Sequence, residues 1–246
     1  MFSLNDRINV LYSFVLSLLK SKMEIVYKTI LITHIIAGAI ALLGGLLAII
    51  FRNNVKKHKP IGKIYFWAMT VIFFSAVYMS LYRSNVFLFC VSLFTYYACL
   101  TAYRSLKLKK LHLDQRPHWF DWAIEVFFGL RHIGFIVFAI MLLRGPNMPM
   151  GIISLVFGLL GIRGNYTTIK RFRKKIEYKN YWLLAHIGGM LGSYIGAITA
   201  FTVNNERWLP APGIVLWLGP TVFLVPLIIF EINKHQKKAG KFKVDL

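Results

Sequence analysis

Charge is scarce in this sequence, and acidic charge scarcest of all. Of 246 residues, 16% are Asp, Glu, Lys or Arg, and nine acidic side chains stand against 30 basic ones, a formal net charge of +21. So few charged residues cannot cover the surface of a soluble domain of this size. Cysteine is nearly absent: Cys90 and Cys99 lie in one apolar run, about 13 Å apart along a helix and too far to bridge. They supply neither a disulfide framework nor a metal pair. Strict apolar alternation over about ten residues is also missing, which excludes a transmembrane β-barrel. No GxSxG, Walker, Rossmann or HExxH pattern occurs, so the commonest signatures of hydrolase, nucleotide and zinc-protease chemistry are gone.

What the chain has in abundance is apolar length. Hydrophobic residues make up 57% of it and the mean hydropathy is +0.58. A bilayer core about 30 Å thick is crossed by about 20 helical residues. Seven runs reach that length: 28–51, 62–82, 86–103, 121–143, 149–170, 181–203 and 213–231. Arg52-Asn53-Asn54, Pro60, Pro117, Gly145-Pro146, Pro210 and Pro212 punctuate them, and no connection is long enough for a globular domain. The expectation is an all-α, polytopic transmembrane helical bundle of seven spans over 28–231. A leader, 1–27, precedes it and a basic tail, 232–246, follows.

The basic residues alternate with the spans. They cluster in 52–63, 104–116, 170–179 and 234–243, all on one side, leaving only scattered Lys and Arg on the other. Cytoplasmic loops carry such an excess, which predicts N-outside/C-inside orientation in a bacterial inner (cytoplasmic) membrane. The expected partners are the bilayer and its anionic lipid headgroups, with no nucleic acid. The run 171–175, Arg-Phe-Arg-Lys-Lys, reads as an orientation signal. Within the leader, Ile8 to Leu19 is apolar but too short to span and is expected to lie on the surface. The alternative expectation is that residues 1–22 are an upstream extension, with Met23 the start. In the loop 104–120, Leu106, Leu108, Leu111 and Leu113 interleave with Lys107, Lys109, Lys110 and His112, a pattern suited to a segment on the membrane surface.

Helices in lipid associate through small residues. Ala37, Ala41 and Gly45 in the first span, Gly151, Gly158, Gly161 and Gly164 in the fifth, and Gly188, Gly192, Gly196 and Ala200 in the sixth predict that these three form the inner bundle. The sequon at Asn165 falls at a cytoplasmic helix end and is not expected to carry a glycan.

Ionisable groups at bilayer depth are costly and are candidate functional residues. At about 1.5 Å per residue, Glu125, Arg163, Asn165 and His186 all fall in the inner third of the membrane, where they form a candidate polar cluster. His132 lies near the midplane and His34 about 7 Å to its outer side, so the histidines are candidate steps of a proton path or ligands. Asp121, Glu125 and His132 share one face of the fourth span. The plainer alternatives are that Glu125 and Arg163 neutralise each other and that His34 only bonds a neighbouring helix. No metal site is expected, because within the spans only Asp121 and Glu125 have the i, i+4 spacing. A bis-histidine haem b is the sharper cofactor alternative. Against it, His132 is offset from His34 and His186 by about 7 to 9 Å along the membrane normal.

Two stretches resemble bacterial membrane proteins of the family called domain of unknown function 2306. One is 34-HIIAGAIALLGG-45 followed by 58-HKPIGKIYFWAM-69. The other is 182-WLLAHIGGMLGSYIGAITAFTVNN-205 with Trp217 and Pro220. The resemblance singles out His34, His58, Gly62, His186, Met190 and Thr199-Ala200-Phe201, and so gives weight to His58, which otherwise reads as a loop residue. The leader 1–22 departs from the pattern. The family brings no established activity with it. The resulting expectation is a proton- or redox-linked role. A small-molecule transporter or channel and a non-catalytic membrane scaffold are the alternatives, and the lack of an internal repeat counts against transport.

Overall fold

The computed structural model describes residues 4–113, 115–174, 176 and 178–239. Among them the chain forms seven α-helices: α1 Leu4–Ile50, α2 Val55–Tyr82, α3 Val86–Ser105, α4 Trp119–Leu143, α5 Met148–Phe172, α6 Tyr181–Asn204 and α7 Gly213–Ala239. A short 3-10 turn, Glu206–Trp208, precedes α7. All seven are long and apolar enough to cross a membrane. Helix is what lipid demands, because there every backbone N–H and C=O must find its partner within the segment. Large apolar side chains such as Trp67, Phe74 and Phe223 are more than 60% exposed, an unfavourable surface in water and an ordinary one in lipid.

Local signals set the helix ends. The Asn54 side chain accepts from Lys57 N–H and begins α2, and Asn85 does the same for α3 through Leu88 N–H. At the start of α4, His118 and Asp121 form a reciprocal capping box. Pro149 sits in the first turn of α5, where its missing N–H costs nothing.

Several boundaries differ from those expected. Pro60 does not delay the second span: capped by Asn54, α2 begins at Val55 and runs through the proline. His58 is therefore a helical residue with a defined direction. The stretch 8–19 is continuous with the first span as part of the 47-residue α1, about 70 Å long and thus longer than a bilayer core is thick. Helix α7 carries the expected tail as far as Ala239, and residues 240–246 lie outside the described residues. The 104–120 loop folds inward: Leu108 and Leu111 are buried against Phe172 and Tyr181. Tyr181 holds that loop by its hydroxyl, which donates to the Leu108 carbonyl and accepts from Leu111 N–H at 2.8 Å.

The centre of the bundle is also not the expected one. Helix α3 touches α2, α4, α5 and α6, while α1 packs on α2, α5 on α4, and α7 on α6. Small residues do govern close approach, but on α6 they serve α3. A Cβ on Gly189 would stand 2.7 Å from the Ala98 carbonyl, and one on Gly196 would stand 2.6 Å from Thr95. With α3 between them, α6 stays apart from the α4–α5 pair.

Candidate functional site

The core of the α3–α4–α5 group is polar. Asp121, Glu125 and His132 of α4 and Asn165 of α5 are each no more than 5% exposed. The spacing of the three α4 residues brings them onto one helix face, and that face meets α3 and α5. The Glu125 carboxylate accepts at Oε2 from Tyr97 Oη and from Asn165 Nδ2, both at 2.8 Å. Asn165 Nδ2 also reaches the Glu125 carbonyl at 3.2 Å. With the Asn165 nitrogen turned to Glu125, its Oδ1 faces His132 Nδ1 at 2.6 Å. An amide oxygen can only accept, so that ring nitrogen carries the proton. His132 Nε2 is then left as a lone pair, buried and without a partner.

Glycine makes room for this ring. A Cβ on Gly161 would lie 2.4 Å from His132 Cδ2, so α5 passes over the imidazole only because position 161 has no side chain. Tyr97 stands edge-on to the same ring at 5.0 Å between centroids. The Asn165 amide at the head of the sequon is buried and hydrogen-bonded through both its oxygen and its nitrogen.

Toward the basic-loop end, the carboxylate borders a cavity of about 20 Å³, lined by Glu125, Arg104, Asp121, Thr168, Arg171 and Tyr181 among others. That is room for about one water. Arg171 donates to the Thr167 carbonyl and to Thr168 Oγ1 at 3.1 and 2.8 Å. Arg104 forms a two-point ion pair with Asp121, Nε to Oδ1 at 2.5 Å and a terminal nitrogen to Oδ2 at 3.1 Å. Asp121 is thus both the counterion of Arg104 and part of the α4 cap.

The expected cluster of Glu125, Arg163, Asn165 and His186 is only half assembled. Glu125 and Asn165 meet, and His132 joins them. Arg163 is exposed, because two residues along a helix turn a side chain about 200° from Asn165. It does not pair with Glu125. His186 lies on α6, beyond α3, where its Nδ1 donates to the Ala102 carbonyl at 3.3 Å. His58 of α2 faces it, with ring centroids 6.1 Å apart. His34 bonds Ser75 Oγ through Nδ1 at 2.8 Å between α1 and α2, the packing role weighed for it above. The three histidines thus form no single file with His132. Tyr97, Arg104 and Arg171 were not anticipated. Tyr97 is one tyrosine among many aromatics in an apolar run, and the two arginines read as loop charge.

The described residues hold no group of three or more His, Cys, Asp or Glu arranged for a metal ion. Comparison with protein-family models, curated proteins and solved structures finds no match to the chain.

Proposed function

We propose that this membrane protein handles protons within the bilayer at Glu125, with His132 as the coupled group. The observation that carries the proposal is the buried, unpartnered Nε2 of His132, joined through one amide to a buried carboxylate. The network has two hydrogen-bonded forms that differ by one proton, and in both His132 Nε2 has no protein partner. In the form described, Glu125 is ionised, Asn165 Nδ2 donates to it, and His132 Nδ1–H donates to Asn165 Oδ1. In the second, Glu125 is protonated and donates to a turned-over Asn165, which donates to His132 Nδ1 while the imidazole proton sits on Nε2. The small cavity beside Arg171 supplies a polar approach to Glu125 from the basic-loop end.

The charge asymmetry supports N-outside/C-inside insertion into a bacterial inner membrane, with the basic loops against anionic headgroups. The resemblance to the domain of unknown function 2306 proteins belongs to the same proposal and assigns no activity of its own. The test uses purified protein in vesicles loaded with a pH-sensitive dye under an imposed pH difference. Proton uptake is expected with the native chain and at least tenfold slower with Glu125→Gln or His132→Ala. Equal rates in all three would refute the reading. Infrared difference spectra on changing pH provide a second readout: a protonated-carboxyl band should appear and vanish with Glu125→Gln.

A further inference from the structure

Arg131 lies midway along α4, Trp119–Leu143, about 18 Å from either end. An arginine side chain is too short to bring its charge from there to either membrane surface. The side chain is nonetheless exposed. Its guanidinium stands 5.3 Å from the Phe127 ring centroid, and among the described residues it has no hydrogen bond and no ion pair. A charge at this depth belongs in a bundle interior or a watery cavity. Helix α4 packs on α5 and α3, and neither covers the face that carries Arg131.

That face is patterned for another helix. Phe127, Leu130, Gly134, Val137 and Met141 follow one another at alternating steps of three and four residues, the a and d spacing of helices that pack side by side at about 20°. All five are exposed, so nothing in the chain packs into the seam. A Cβ on Gly134 would meet nothing within 4 Å, and a glycine at the centre of such a seam lets a second backbone come close. Arg131 follows Leu130 and so takes the e position, which borders the seam and is where packed helices exchange charge pairs.

The chain itself has no free acid to offer at this depth. Asp121 and Glu125 point inward and are bonded to Arg104, Tyr97 and Asn165. Glu24 pairs with Lys28, and Glu231 lies toward the basic end of α7, 3.9 Å from His235. A second copy laid on the seam would therefore bring another arginine and no carboxylate. We propose that this face of α4 is the docking surface for a transmembrane helix of a different protein, one that carries Asp or Glu near mid-span. Its carboxylate accepts from the Arg131 guanidinium, and the a and d residues hold the two helices in register.

The surface shares no residue with the Glu125 network, so either proposal can fail alone. The experiment uses the full-length protein in phosphatidylcholine vesicles at mildly alkaline pH, with its own tryptophans as energy donors. The probe is a dansyl-labelled helical peptide of about 20 leucine and alanine residues with one central Asp. Energy transfer should saturate at one peptide per chain, with an affinity at least tenfold above that of the same peptide carrying Leu in place of Asp. Arg131→Leu should remove the preference and Arg131→Lys should keep it. Both variants should melt no lower than the native protein, because the side chain faces outward. Gly134→Leu should weaken binding of the Asp peptide several-fold. The proposal is overturned if the two peptides bind alike, if Arg131→Leu still prefers Asp, or if Gly134→Leu binds as the native chain does. It is also overturned if phosphatidylglycerol in the vesicles abolishes the preference, which would make lipid phosphate the partner of Arg131. A dimer in detergent that Arg131→Leu dissociates would place a second copy on the seam and overturn it as well.

Discussion

Two polar regions sit on opposite sides of α3, and they are built on different principles. In the α3–α4–α5 region Asp121, Glu125, His132 and Asn165 are buried; Glu125, Asn165 and His132 are bonded in a chain and Asp121 is bonded to Arg104, with a single ring nitrogen among them left over. In the α2–α6 region His58 and His186 are only half-buried, each is tied to a helix end by one nitrogen, and neither is bonded to the other. A closed network is complete within the chain and can change state by gaining or losing a proton. The same residue type thus stands in two settings, and the partner of Nδ1 marks the difference: an adjustable side-chain amide for His132, a fixed backbone carbonyl for the other two.

The largest effect that separates the two regions is expected at Asp121. Its carboxylate is 2% exposed, pairs with Arg104 and caps α4, so Asp121→Ala strands a cation and an orphan N–H together. Breaking a buried pair from one side costs about 3 to 5 kcal/mol. Thermal unfolding in detergent should report that loss, and it should be smaller for the double variant in which Arg104 is also replaced by Met. If the single and double variants melt alike, the ion pair is not what closes this region.

Gly161→Ala is expected to come next. The added methyl would press on the His132 ring, a buried group that cannot swing aside as a flexible chain end does. Overpacking of this sort costs about 1 to 3 kcal/mol. It should also disturb the Glu125 infrared band, because His132 and Glu125 share Asn165. Lost stability with an unchanged band would mean that the two groups are not coupled through the amide.

How far these regions were legible in the sequence follows from what each signal measures. Apolar run length located all seven spans, since lipid thickness sets helix length whatever the neighbours. Periodicity brought Asp121, Glu125 and His132 onto one face of α4, because that is a property of a single helix. Depth arithmetic grouped Glu125 with Asn165, yet it also admitted Arg163, which has a suitable depth and the opposite azimuth. His186 was assigned to the wrong group for a different reason: which helix stands beside α6 is decided by Gly189 and Gly196 packing against Ala98 and Thr95, and a small-residue stripe does not name its partner. Pro60 misled because a cap at Asn54 can start a helix early enough to carry a proline in its second turn. The Arg104–Asp121 pair joins a helix end to the next helix start across a loop, and charge counting assigns such residues to topology alone.

The smallest expected effect is the most discriminating between the two regions. Gly62 and Gly161 both lie inside helices, where alanine is intrinsically favoured over glycine by about 0.5 to 1 kcal/mol. At position 161 that gain is overwhelmed by the His132 ring. At position 62 nothing opposes it, since the methyl enters open space, so Gly62→Ala should raise the stability of the protein by about 0.5 to 1 kcal/mol. Melting curves of Gly62→Ala and Gly161→Ala beside the native chain measure the contrast. A Gly62→Ala variant that loses stability would mean the region is as closed as its counterpart across α3.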